Sequence, residues 1–224
     1  MFPSRVPRVA AAWWSGPRRC SSGRRTAARL PCARSENIAG VDGQRELIGG
    51  RESGWIELVS HRSSWPELFE QERVRIAAAL GPLARRIDHI GSTAVAGLDA
   101  KDIIDIDVSV EDPEEEGAYV AKLERAGYHL RVREPGHRML RAPALDVHVH
   151  ICACGSDWER RHLLFRDWLR IDAEDRERYL AVKRRLAGRV WADRNDYAEA
   201  KGEIIGEIMA RAEHWARATG WSLQ

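Results

Sequence analysis

No run of this chain is long and apolar enough to cross a membrane. The most suggestive stretch, Val9-Ala10-Ala11-Ala12-Trp13-Trp14, is too short for a span or for the core of a secretory signal. Strong charge of one sign is also missing: the formal net charge is +2, which gives no general pull toward nucleic acid or lipid headgroups. No membrane partner is expected, and nucleic acid is disfavoured. Cysteine is scarce. Of four residues, Cys20 and Cys32 lie near the start, while Cys152 and Cys154 sit two apart along one expected strand, a spacing that does not favour a direct bond. This usage argues against a secreted disulfide scaffold and points to the cytoplasm.

The positive charge that exists is gathered at the front. Arg5, Arg8, Arg18, Arg19, Arg24, Arg25, Arg29 and Arg34 all precede the first acid, Glu36, and from there on the chain is net acidic. Residues 1–53 are arginine-rich, dotted with Pro, Ser and Gly, and lack a hydrophobic period long enough to bury, so they read as a disordered extension. The same composition also fits an organelle-targeting peptide or an arm for an anionic partner. Residues 54–218 have the length for one domain, and a chain that is 44% apolar can bury one sizeable core.

The richest stretch is His89-Ile90-Gly91-Ser92-Thr93-Ala94-Val95-Ala96-Gly97-Leu98, running into Asp102-Ile103-Ile104-Asp105-Ile106-Asp107-Val108. Ile104, Ile106, Val108 and Val110 alternate with Asp105, Asp107 and Ser109, the two-residue period of a half-buried strand, so both acids leave the sheet on one side. Two like charges roughly 7 Å apart on one face repel, and a divalent cation such as Mg2+ would supply a reason for them. A solvated outer face with two acids is the plainer reading. Before the strand, Gly91 removes a side chain where backbone could approach a ligand, and Ser92 and Thr93 add hydroxyls that suit a phosphate. Such a pair is more often just a tight connection.

Elsewhere the pattern is α/β. Ser64-Trp65-Pro66-Glu67 has the form of a capping box opening a helix, with Leu68, Phe69, Ile76 and Leu80 inward and Gly81-Pro82 as the stop. Arg86 to Ile90 reads as a strand. Asp112 and Pro113 open a second helix, with Glu114 to Glu116 favouring its positive end and Gly127 closing it. Strands are expected at Tyr128 to Val132, Met139 to Arg141 and Leu145 to Cys152, and from Asp157 onward about three helices. On the last strand Asp146, His148, His150, Cys152 and Cys154 share a face. Five such residues spread over about 27 Å and cannot ligate one ion, but a neighbouring pair such as His148 and His150 could, with help from another strand.

Four separated blocks carry a family resemblance: His89 to Gly97, Lys101 to Val108, His148-Val149-His150, and Arg160-Arg161-His162-Leu163-Leu164-Phe165-Arg166-Asp167-Trp168-Leu169. Together, over roughly residues 55 to 217, they resemble the GrpB family, placed in the nucleotidyltransferase superfamily. The resemblance implies a nucleotidyltransferase-like mixed sheet flanked by helices, with a C-terminal helical segment closing one side of a groove. It implies Mg2+ held by Asp105, Asp107 and a third acid, for which Asp146 is placed, with His148 beside it as substitute or as activator of an acceptor hydroxyl. It further implies a nucleotide or other phosphorylated small molecule bound by Gly91, Ser92, Thr93, Lys101, Arg161 and Arg166. Some relatives are fused to dephospho-coenzyme A kinase, so the other implied role is a non-catalytic accessory module in the coenzyme A pathway. Two positions depart from the family: Ala96 and Asp102 stand where prolines are usual, which puts the stiffness of the loop in doubt.

Overall fold

The strand pattern resolves into a six-stranded mixed sheet. A computed structural model describes residues 45–50, 54–142 and 147–223. The strands are β1 (Glu46–Leu47), β3 (Arg86–Ile90), β4 (Ile104–Val110), β5 (His129–Glu134), β6 (His137–Ala142) and β7 (Val147–Ala153). Their order is β1-β5-β6-β7-β4-β3, with β4 and β7 parallel and every other pair antiparallel. A separate ribbon joins β2 (Gly54–Trp55) to β8 (Val190–Trp191). All described residues fall in one compact unit. Most of the arginine-rich extension lies outside the described residues, but its end does not: Glu46–Leu47 pairs with Arg133 and Val132 on the sheet edge.

One face of the sheet is apolar. Ile104, Ile106, Val108, Val147, Val149, Ile151 and Leu140 meet helices α1 (Trp65–Leu80) and α2 (Glu116–Arg125) there, and each fully buried aliphatic contributes about 1.5–3 kcal/mol. α1 buries Trp65, Glu72, Ile76 and Leu80, a helical stripe, whereas Leu68, expected inside, is 38% exposed. The expected capping box does not form. Ser64 takes helical angles (φ −79°, ψ −15°) and makes no side-chain cap, because a cap needs an extended residue to aim its oxygen at the third amide. α2 begins later than its acids suggested. Asp112 accepts from the Glu114 amide (2.8 Å) to form a turn, and Glu114 and Glu116 instead pair with Arg138, with Arg133 also on Glu116 at 2.8 Å.

The other face is polar and carries Asp105, Asp107, His148 and His150. Four helices follow β7: α3 (Asp157–Ile171), α4 (Ala173–Ala187), α5 (Arg194–Glu199) and α6 (Gly202–Thr219), one more than the sequence suggested. Asp107 and Ser109, expected half-exposed, are 0% and 1% exposed, because α3 covers that end of the strand. A second core gathers Leu164, Leu169, Tyr179, Leu180, Ile208, Met209 and Ala212 around Val95 and Leu98. The helical layer thus packs on the loop after β3.

Candidate functional site

Gly91 leaves β3 at φ +68° and ψ −169°, backbone that side chains other than glycine's hardly reach, and a Cβ there would stand 2.5 Å from Asp105 Oδ2. Turn and acid are therefore in contact. Ser92–Ala94 forms a single 3-10 turn, and Ser92 lies close enough to Tyr179 of α4 to act on its hydroxyl. Thr93 is buried, donating to the Ile103 carbonyl (3.1 Å) and meeting His89 Nε2 at 3.0 Å. Since the hydroxyl proton is used on Ile103, His89 donates through Nε2. That ring stacks on Phe69 at 4.8 Å, and burial pushes it down to about 4, so it is neutral near pH 7. His89 thus both orients the turn and packs.

Side chains of the helical layer clamp the loop that carries Ala96. Arg166 and Arg170 of α3 donate to the carbonyls of His89 (3.1 Å) and Ala94 (3.0 Å), and Lys183 of α4 donates to the Asp99 carbonyl. Asp102 turns away from the acidic pair and accepts from Arg62 and from Trp65 Nε1 (2.8 Å).

Parallel pairing sets Asp105 opposite His148 and Asp107 opposite His150. Asp105 Oδ1 lies 3.3 Å from His148 Nδ1 and 3.7 Å from His150 Nε2. Burial alone would raise the Asp105 carboxyl, but the two imidazoles hold it well below the usual carboxylate range. Burial lowers His148, whereas at His150 the attraction of Asp105 outweighs burial and raises it. Asp107 is committed elsewhere: His162 of α3 donates from Nδ1 to both of its oxygens, at 2.9 and 3.1 Å. Asp105 therefore clusters with two histidines rather than with Asp107, and Asp146 lies outside the described residues. The set of one carboxylate and two imidazoles is a poor match for Mg2+, which favours all-oxygen coordination.

Among the expected phosphate ligands, Gly91 and Ser92 line the turn, while Thr93 faces inward. Arg166 binds Asp167 (2.8 Å), Asp88 (3.4 Å) and the His89 carbonyl, which makes it part of the scaffold. Arg161 sits on α3 close enough to act on Glu213. Lys101 lies 5.8 Å from the Tyr197 ring. Two cations escaped the sequence reading, Lys183 and Lys201. Burial, with repulsion from Lys201 and Lys101, pushes Lys183 down to about 7, and burial pushes Lys201 down to about 8, while Asp105 pulls both upward. They come from α4 and from the cap of α6, and no local pattern links either to β4.

Lys183 gives a pH-dependent stability. Its folded value near 7 lies below the ordinary 10.5, so between those pH values the unfolded chain holds the extra proton and stability rises with pH. Below about 7 both states are protonated and the burial cost is fully present. Relative to Lys183→Met, the wild type should gain at least ~1 kcal/mol between about pH 7 and pH 9.5 in urea denaturation. A gap between the two proteins that stays flat with pH would show that the ammonium is not buried in this way.

A mixed sheet with an Asp-His cluster on the polar face of β4 and β7, roofed by a helical layer, defines an α/β protein. The family model described as GrpB protein matches residues 55–211, and the chain belongs to the GrpB family. It is similar to a UPF0157 protein of Streptomyces coelicolor, 48% identical over 167 residues, covering 75% of this chain and 89% of that one. A protein of Mycolicibacterium paratuberculosis named dephospho-CoA kinase is 33% identical over 195 residues, covering 74% of this chain and 48% of that protein. The crystal structure of the conserved protein GrpB from Enterococcus faecalis superposes with a TM-score of 0.61 at 32% identity, covering 71% of this chain and 99% of that one.

Proposed function

We propose that this GrpB protein is a metal-dependent enzyme of the nucleotidyltransferase kind, acting on a nucleotide or other phosphorylated ligand laid over the polar face of β4 and β7. The observation that carries the reading is the packing of Asp105 against Gly91, at the start of a loop whose Asp99 carbonyl accepts from Lys183. Lysines beside a turn without a side chain suit phosphate oxygens, and the acid among them suits a cation that would accompany those phosphates. Asp107 and His162 supply the remaining chemistry. The buried carboxylate holds His162 with Nδ1 protonated, which leaves Nε2 as the nitrogen that could take the proton of an acceptor hydroxyl.

Nucleoside triphosphate with a divalent metal should then raise the melting temperature. At a ligand concentration of ~100 times Kd the gain is about 2.7 kcal/mol, or roughly 5–10 °C for a domain of this size. Asp105→Asn and Lys201→Ala should each remove most of it. Equal stabilisation of all three proteins would count against the reading. His162→Gln separates binding from turnover: ligand stabilisation should persist while metal-dependent release of pyrophosphate falls at least ~100-fold.

A second reading, a non-catalytic module in the coenzyme A pathway, is favoured by the match to about half of a protein named dephospho-CoA kinase. It expects stabilisation by dephospho-coenzyme A or coenzyme A without pyrophosphate release under any metal.

A further inference from the structure

We infer that Asp105, His148 and His150 form a three-ligand site for a borderline transition cation of the zinc, cobalt(II) or iron(II) class, with His137 and Glu134 as its supporting hydrogen-bond chain. One ligand atom from each of the three residues lies within 4.8 Å of the other two. In a tetrahedral zinc site with bonds of 2.0–2.1 Å, neighbouring ligand atoms stand about 3.3 Å apart. The Asp105 to His148 and Asp105 to His150 separations are 3.3 and 3.7 Å.

The hydrogen-bond chain decides what His150 presents. Glu134 Oε1 accepts from His137 Nδ1 at 2.6 Å, and His137 Nε2 lies 3.0 Å from His150 Nδ1. With its Nδ1 proton given to the carboxylate, His137 must accept at Nε2, so His150 donates from Nδ1 and keeps Nε2 facing Asp105, the nitrogen whose proton a metal would displace. This nitrogen and the carboxylate oxygen stand 3.7 Å apart, too far for a direct hydrogen bond and well suited to an ion between them. Trp158 stacks on His137 with centroids 3.9 Å apart and fixes that ring. A carboxylate behind a histidine behind a ligating histidine is the outer support that metal sites use to set tautomer and orientation. At His148, Nδ1 is the nitrogen that faces Asp105, at 3.3 Å, whereas Nε2 is buried without a hydrogen-bond partner among the described residues, so Nδ1 is the ligating atom.

Three protein ligands leave a fourth position for water or a substrate oxygen, the arrangement of catalytic rather than structural sites. Two imidazoles and one carboxylate select borderline cations over magnesium. The inference does not rest on the nucleotidyltransferase reading, since the test needs no nucleotide.

Full-length protein stripped with chelator is titrated with Co2+ and with Zn2+, after Cys20, Cys32 and Cys154 have been changed to Ser so that thiols cannot compete. One equivalent should bind, giving visible cobalt absorption of a four- or five-coordinate site that a hundredfold excess of Mg2+ does not displace. His148→Ala and His150→Ala should each weaken binding at least about 100-fold, and Glu134→Gln about 10- to 100-fold. X-ray absorption on the zinc-loaded parent counts imidazoles without relying on any variant; two is the expected number. No cobalt band, displacement by Mg2+, fewer than two imidazoles, or folded histidine variants that bind as the parent does would each overturn the site. Metal binding without any nucleotide effect would leave this inference standing and remove the proposed function.

Discussion

Gly91→Ala should lower the melting temperature by about 10 °C, a loss on the order of 3–5 kcal/mol. Two costs combine. The angles φ +68° and ψ −169° belong to a region essentially reserved for glycine, worth roughly 1–3 kcal/mol in strain for another residue. The added Cβ would also meet Asp105 Oδ2 at 2.5 Å. The clash cannot be relieved cheaply, because His148 and His150 flank the carboxylate on its other side. Gly97→Ala is the control. Gly97 also has a positive φ, +78°, but a Cβ there meets nothing within 4 Å, so only strain of about 1–2 kcal/mol should appear. If both variants melt together in a calorimetric scan, the contact with Asp105 carries no weight.

Glu159→Ala should cost about 3–5 kcal/mol, measured by urea denaturation. Glu159 is fully buried at the start of α3, where it accepts from the Gly155 amide at 2.6 Å and from Ser109 Oγ, with Arg86 Nε 3.6 Å away. Truncation leaves an amide, a hydroxyl and a half-buried guanidinium facing a gap. Ser109→Ala should cost only about 1 kcal/mol, since the carboxylate keeps its other partners. Near-neutral stability of Glu159→Ala would mean that water replaces the carboxylate fully and that the strand-to-helix junction at Ser109 is not a structural node.

The alternation around Asp105 and Asp107 was legible because a strand's two-residue period is local: β4 runs over Ile104–Val110 with its acids on one face. Partner choice was not legible. Which acid meets which histidine depends on the parallel register of β4 and β7 and on where α3 crosses, and neither leaves a mark in the residues of β4 themselves. His150 reads in the sequence as half of a metal-binding pair needing help from another strand, and the help comes diagonally, from Asp105, which the register sets opposite His148 and which lies 3.7 Å from His150. Glu134, His137 and Trp158 had no comparable signal, because each lies on a different element and has an ordinary structural reading on its own. The two Ser-x-x-Glu stretches show the same limit. Ser64-Trp65-Pro66-Glu67 reads as a capping box and does not make one, whereas Ser156-Asp157-Trp158-Glu159 does cap α3, with Ser156 extended and accepting from the Glu159 amide at 3.3 Å. Identical letters diverge because Ser64 holds helical angles beside a Trp65 that is drawn into the core and bonded to Asp102.

Holding a loop by side-chain clamps has a consequence for how the protein comes apart. A proline stiffens its loop wherever the loop goes, because the restraint is in the ring. Here the shape of Gly91 to Asp99 is borrowed from α3 and α4 through Arg166, Arg170 and Lys183, and from the core that Val95 and Leu98 share with α6. The turn therefore belongs to the cooperative unit of the helices, although the chain enters it from the sheet. Partial opening of the helical layer would dissolve the turn while the β4 and β7 pair, with Asp105, His148 and His150 on it, stayed intact. The turn proposed to hold phosphate and the strand pair proposed to hold metal thus sit on opposite sides of that line of opening.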